Sequence, residues 1–186
     1  PTGVILWTRV DPGRFDPETP LGVQVATDET FSEVVYDGIV ADGTAVRAHD
    51  HTVSVDLDGR LSPDTEYAYR FVYDGVATRT GRCRTLPDPG ASVDSLRVAV
   101  LTCQNYLNGY FPALHHVAEE DVDFVVHLGD FIYESDAGEF KGLGSYDYPG
   151  RSLSLPSGHD RVRTLADYRY LHRTYRTDRF LQEALE

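Results

Sequence analysis

Methionine is missing from this 186-residue chain, and cysteine and tryptophan nearly so, at two copies and one. Without methionine the numbering cannot begin at a natural start. The sequence therefore reads as a mature chain or an excised piece, and the lack of a signal peptide at its front says nothing about export. Two thiols, Cys83 and Cys103, cannot build the multi-bridge framework of a small secreted scaffold. A bridge between them stays open, but an inert, buried Cys83 is the simpler expectation. No apolar run approaches the roughly 20 residues that span a bilayer. Basic residues are also scarce, 17 Lys and Arg against 30 Asp and Glu, for a formal net charge of -13. A surface this acidic repels phosphate backbones and anionic membranes, which excludes general nucleic-acid binding. It suits a salt-rich environment, a cation-binding site, or an acidic soluble surface with no partner implied.

What the chain does have is apolar and aromatic residues enough for a core, 41% and 11% of the total. Residues 1–88 read as β. Six segments rich in Val, Ile, Thr and Tyr, separated by Gly, Pro or Asp clusters, favour strands: Gly3–Val10, Gly22–Thr27, Val34–Ala41, His51–Leu57, Glu66–Gly75 and Val76–Leu86. In the fifth, Tyr67, Tyr69, Phe71 and Tyr73 share one face, while Ala68, Arg70 and Val72 share the other. Turn signals at this spacing predict a small antiparallel sandwich, fibronectin III- or immunoglobulin-like. The stretch LSPDTEYAYRF resembles the corner-tyrosine segment of fibronectin type III modules, and Trp7 is expected in the core.

Residues 89–95, within the run PDPGASVDS, form a linker by composition, and from residue 96 to 186 the patterning changes. LRVAVLTC, Leu96 to Cys103, is a continuous apolar run, as expected of a strand covered on both faces. GYFPALHHVAEE carries Phe111, Leu114, Val117 and Ala118 at helical spacing, with Pro112 in the tolerated first turn. DFVVHLGD follows as a second buried strand, completing a βαβ unit. From Ser135 to Arg163 the chain is aperiodic and rich in Gly, Ser, Tyr and Pro, the composition of a lid or binding loop. Thr164 and Asp167 then form a capping-box variant, opening a helix whose buried face is expected to hold Leu165, Tyr168, Leu171 or His172, and Tyr175. Thr177 and Asp178 open a last amphipathic segment with Phe180, Leu181 and Leu185. A two-strand unit has open edges, so a cut on the C-terminal side is expected.

In α/β sheets ligands gather at the carboxyl ends of the strands. Cys103 ends one strand and Asp130 the next, and Tyr133 lies where a turn can swing its phenol back to the same rim. Thiolate, carboxylate and phenolate are anionic donors that together suit a hard trivalent metal such as iron, whereas zinc more often takes His and Cys. Each residue alone has an ordinary structural alternative: a turn for Gly129-Asp130, a small buried hydrophobe for Cys103, a core aromatic for Tyr133. His127, inside the strand, is expected to be a satisfied core histidine, and His115 and His116 to face solvent.

Four segments together resemble the PhoD-like alkaline phosphatases and phosphodiesterases of the calcineurin-like metallophosphatase superfamily. They are PTGVILWTRV, CRTLP, LTCQNYLNGYFPALHHVAEEDVDFVVHLGDFIYE and TLADYRYLHRTYRTDRFLQEALE. The pairing of Cys-Gln-x-Tyr with Gly-Asp-x-x-Tyr is particular to that branch; most metallophosphatases carry Asp-x-His where this chain has Thr102-Cys103-Gln104. The resemblance implies a β-sandwich followed by the first part of a four-layer αββα metallophosphatase domain, and a site of ferric iron (Fe3+) and calcium (Ca2+). By position it implies that Cys103 and Tyr133 bind the iron while Asp130 bridges the metals. It further implies metal-assisted hydrolysis of a phosphate ester, monoester or diester, including phospholipase D-type activity, by an enzyme exported through the twin-arginine route to the cell surface or beyond. Lys141, Tyr146, Tyr148 and Arg151 of the long loop would then border the entrance. The family's Trp-Asp-Asp-His-Glu-type motif and its later His- and Asp-bearing motifs are absent, so only part of the metal shell is expected here, with weak or no activity in isolation. The competing reading is a non-catalytic extracellular adhesion or carbohydrate-binding module built on the sandwich, which leaves Cys103, Asp130 and Tyr133 unexplained.

Overall fold

A computed structural model of the protein describes residues 1–41, 43–135 and 148–185. They form two compact units, Pro1–Ser92 and Val93–Leu185, and strands outnumber helices.

The first unit runs β1 (Ile5–Arg9), β2 (Leu21–Ala26), β3 (Val34–Ala41), α1 (Gly43–Ala48), β4 (Thr52–Asp56), β5 (Glu66–Tyr73), β6 (Val76–Ala77) and β7 (Gly81–Arg84). β1 pairs antiparallel with β4, setting Leu6 opposite Val55. In a second antiparallel sheet β2 lies between β3 and β5, and β5 carries both β6 and β7 on its far side. Side chains alternate along every strand, so each sheet offers one apolar face. Leu6, Val53 and Val55 from the first sheet meet Val23, Val25, Tyr67 and Phe71 from the second in one buried cluster.

That alternation excludes Trp7 from the core, contrary to expectation. Leu6 points inward, so its neighbours Ile5 and Trp7 face outward, at 70% and 42% exposure. The expected single strand Val76–Leu86 is two strands, because the Thr78 hydroxyl intervenes and accepts the Phe71 amide at 3.1 Å. Helix α1, too short to show a hydrophobic period, was not expected; it buries Val46. The Tyr67 phenol accepts the Ser62 amide five residues upstream at 2.9 Å, the tie that defines a tyrosine corner. Cys83 is a half-buried free thiol, and burial pushes its pKa up to about 11. Cys103 is also free.

In the second unit β8 (Val98–Leu101) and β9 (Phe124–His127) pair in parallel, joined through a 3₁₀ turn (Tyr106–Asn108) and α2 (Pro112–Glu119). α3 (Leu165–Tyr175) and α4 (Arg179–Ala184) follow. The two strands are not buried on both faces as their sequences led one to expect. Val98, Val100, Phe124, Val125 and Val126 are all more than 40% exposed among the described residues. The unit's core lies beside the sheet instead, where Tyr106, Phe111 and Leu114 meet Leu155, Leu171, Tyr175 and Leu181.

Helix α3 buries Leu171 and Tyr175 as expected, but not the first turn of the expected face. Leu165 and Tyr168 are exposed, and the buried line is Asp167, Leu171, Tyr175. A carboxylate sets this register. Asp167 completes the capping box with Thr164 and also accepts the amides of Ser157 and Arg163, at 2.9 and 3.0 Å. The chain is thereby folded back over the helix start. Residues 148–163 form a loop without helix or strand, as expected, but one anchored at several points: Leu155 is buried, Ser135 bridges Arg161, and the Val162 amide donates to the Glu134 carbonyl.

Two outcomes follow from these ties. Tyr67→Phe leaves the Ser62 amide without its acceptor and should cost the β unit about 1 kcal/mol, read from its urea midpoint. For Asp167, burial alone would raise the carboxyl pKa, but the donors from Arg163, Ser157 and Thr164 outweigh it and hold the group well below the ordinary carboxylate range. The native state then binds fewer protons than the unfolded one, so this contribution is complete above about pH 4 and is lost as pH falls further. The acid limb of a stability-versus-pH curve should be shallower in Asp167→Asn than in the unsubstituted chain.

Candidate metal centre

The parallel ladder continues beyond the last paired residues of β8 and β9. The Leu128 amide donates to Leu101, Cys103 to Gly129 and Gln104 to Asp130, at 2.8, 3.2 and 3.1 Å. The Gln104 side-chain amide adds a bond to the Phe131 carbonyl at 3.1 Å. The segments leaving the two strands therefore stay side by side for three residues after regular structure ends. Cys103 and Asp130 both turn there with positive φ, 58° and 55°. Asparagine and aspartate tolerate this region; cysteine rarely enters it, and such strain persists only where surrounding bonds enforce it.

The turns bring three donors together. The Cys103 thiol lies 3.4 Å from Asp130 Oδ2, and the Tyr133 phenol donates to the same oxygen at 3.1 Å. Both contacts use Oδ2, which leaves Asp130 Oδ1 for a second partner. Loss of solvation, then hydrogen bonds to Cys103 and Asp130 and their charges, push the Tyr133 phenol pKa far above its ordinary value. Three acidic groups this close cannot all ionise unless a cation joins them, and with the protons displaced they offer one sulfur and two kinds of oxygen. That donor set fits a hard, highly charged metal. Among the described residues no group of three or more His, Cys, Asp and Glu side chains could hold a metal, so the trio reaches three donors only through its phenol.

The remaining candidates fall elsewhere. Lys141 and Tyr146 lie outside the described residues. Tyr148 is 39% exposed, and its ring covers Gly109, where a Cβ would come within 3.0 Å of it and φ is 125°. Arg151 does not border an entrance: its side chain is 1% exposed, paired with the wholly buried Asp178 and set 4.1 Å from the centroids of both Tyr106 and Tyr110. Asp178 also caps α4 and accepts the Phe111 amide. His127 is only half satisfied. Its Nδ1 accepts the Gly129 amide at 3.3 Å, while Nε2 is buried with no hydrogen-bond partner among the described residues. His115 contacts Glu183 at 3.0 Å and, like His116, keeps its side chain partly in solvent, 44% and 78% exposed. A cleft of about 330 Å³ beside Cys103 is lined by Thr102, Asn105, Asn108, Tyr110 and His127. Sequence reasoning assigned no site role to Tyr175, whose phenol oxygen accepts the Tyr133 amide at 3.3 Å, because its helical position is that of any core aromatic.

Comparison with known proteins gives the family of a chain with this fold and rim. The profile of the PhoD-like phosphatase matches residues 98–186, and that of the PhoD-like phosphatase N-terminal domain matches residues 1–87. The chain belongs to the PhoD-like phosphatase family. It is 35% identical to alkaline phosphatase D of Bacillus subtilis (strain 168), over 97% of this chain and 30% of that protein. It superposes on a solved structure of PhoD with a TM-score of 0.81 and 33% identity, over 99% of this chain and 34% of that one. It thus spans about a third of the length of the relatives it matches.

Arg151→Ala strands the Asp178 carboxylate in the core and should cost the second unit about 3–5 kcal/mol. Chemical denaturation monitored by near-UV circular dichroism checks this. A loss below about 1 kcal/mol would return Arg151 to the surface.

Proposed function

We propose that this chain forms the leading part of a longer phosphatase that hydrolyses phosphate esters at a metal centre begun by Cys103, Asp130 and Tyr133. The observation that carries this reading is the meeting of thiol, carboxylate and phenol on one oxygen at the carboxyl ends of two parallel strands. Family membership supports the reaction class. The apolar faces of β8 and β9 support a domain with further layers, since burying each Val or Phe side chain fully is worth about 1.5–3 kcal/mol. The finer fold in this reading is a fibronectin III-like sandwich of residues 1–88, a linker at 89–95, and the start of an αββα metallophosphatase domain.

Cys103 and Tyr133 would hold ferric iron, and Asp130, with Oδ1 unused by the trio, would bridge to calcium. Calcium takes oxygen donors, and the rim supplies them. When bound, the metals supply Lewis-acid polarisation of phosphoryl oxygens and a hydroxide nucleophile at moderate pH. The chain's own part is to give up the thiol and phenol protons on loading and to fix the donors through the extended ladder. Asn105 and Asn108 line the cleft beside Cys103, where the ester would sit, and Tyr148 would border its entrance. Phosphomonoesters and phosphodiesters, lipid headgroup or nucleotide type included, share the group that this centre would grip. No described helix is long and apolar enough to cross a membrane. Folded export by the twin-arginine route would suit a cofactor loaded before secretion.

In the full-length phosphatase, Cys103→Ala and Tyr133→Phe should each lower bound iron at least tenfold. Tyr133→Phe should also abolish the visible phenolate-to-iron absorption. Metal analysis and absorption spectra decide it, and unchanged iron in both variants would overturn the assignment. Phosphodiester turnover by the 186-residue chain alone would refute the placing of the remaining donors outside it.

A further inference from the structure

Tyr175 ends α3 with its side chain wholly buried. Its ring packs on Tyr106 and Phe111, with centroids 5.5 and 6.3 Å away. Packing alone would be served by phenylalanine, and a buried hydroxyl is costly unless it is hydrogen-bonded. The phenol meets both loops of the centre: its oxygen accepts the Tyr133 amide at 3.3 Å, and its ring lies against Tyr106. Tyr106 opens the 3₁₀ turn three residues after Cys103. Tyr133 is itself a donor of the trio. One side chain on α3 thus joins the segment leaving β8, through its ring, to the segment leaving β9, through its oxygen.

The ladder bonds join Cys103 to Gly129 and Gln104 to Asp130, and the Gln104 side chain extends the join to Phe131. The Tyr175 phenol carries the registration two residues further, to the backbone from which the Tyr133 phenol is aimed. Distances between donors are most sensitive at this point, because Tyr133 must reach back over the turn at Asp130 to meet the thiol side of the site.

We propose that Tyr175 is the positioning residue of the centre: by packing its ring on the Cys103 loop and accepting the Tyr133 amide with its oxygen, it sets where the Tyr133 phenol stands relative to Cys103, and so how tightly a metal is gripped there. This rests on the reading of the trio as metal donors.

The test is Tyr175→Phe in the full-length phosphatase, beside Tyr133→Phe and the packing control Phe111→Leu. Each is followed by the phenolate-to-iron absorption maximum, the rate of iron loss to a chelator, and thermal melting. Tyr175→Phe should shift the absorption maximum and speed iron loss about tenfold, the scale of outer-shell metal partners. Phe111→Leu should lower the melting temperature yet leave the maximum in place. A maximum and iron-loss rate in Tyr175→Phe equal to the unsubstituted enzyme's, with the band still lost in Tyr133→Phe, would overturn the positioning role and leave the metal reading standing. Absence of the band from the unsubstituted enzyme, with iron content indifferent to Tyr133→Phe, would sink both. If Tyr175→Phe fails to accumulate, 3-fluorotyrosine at position 175, which keeps the ring but weakens the oxygen as an acceptor, should shift the maximum; no shift would overturn the proposal.

Discussion

The overrun of the parallel ladder past β8 and β9 is the constraint on which the candidate centre depends. Parallel strands bond through evenly spaced, slanted pairs, and here the pairing persists through Cys103 and Gln104 although both chains have left β geometry. Holding Cys103 at positive φ is unfavourable by itself. The bonds on either side of it offset that cost and turn its sulfur toward Asp130. A site on free loops would lose this convergence to conformational entropy. Cross-linked at several consecutive residues, these segments behave as an extension of the sheet.

Around that extension the second unit is organised by buried carboxylates more than by apolar patterning. Asp167 gathers amides from before α3 and fixes which helix face turns inward. Asp178 joins Phe111, Arg151 and the start of α4 in one buried node. Two charged groups in a core are costly unless fully engaged. Here aromatic faces surround the guanidinium and amides surround the carboxylate, while Arg151 Nη1 is buried with no hydrogen-bond partner among the described residues. The result is a rigid shelf behind the centre, holding Tyr106, Phe111 and Tyr175 against one another.

Much of the β organisation is legible in the residues, because period-two alternation and turn chemistry are local signals. The limits of β2, β3, β4 and β5 fall within a residue or two of the segments read from Val, Ile, Thr and Tyr content. Trp7 is the instructive failure in that unit: size and apolarity argue for the core, but phase along the strand decides, and Leu6 holds the inward phase. In the second unit the strands were legible and their burial was not. An apolar run reports what a strand can bury, while its exposure depends on which layers cover it, and those packed on β8 and β9 here leave them largely open. For the centre, Cys103, Asp130 and Tyr133 were legible as strand-end residues that a βαβ crossover brings together. Arg151 was misjudged because glycine-rich surroundings resemble a solvated loop; its partner Asp178 is 27 residues away.

By itself the sequence determined the chemistry on offer: an acidic, methionine-free chain with strand-forming segments, two parallel-strand candidates, and a thiol, a carboxylate and a phenol at their ends. These are properties of residue type and short-range spacing, fixed by backbone sterics and side-chain alternation. Only the tertiary structure decided that Leu165 and Tyr168 stay exposed, which charges became core, and which hydroxyl came to hold the Tyr133 backbone. Those outcomes depend on partners tens of residues apart, such as Tyr133 with Tyr175 and Cys103 with Asp130. No local pattern encodes such meetings, because the free energy that selects them comes from burial and hydrogen bonding after the chain has closed on itself.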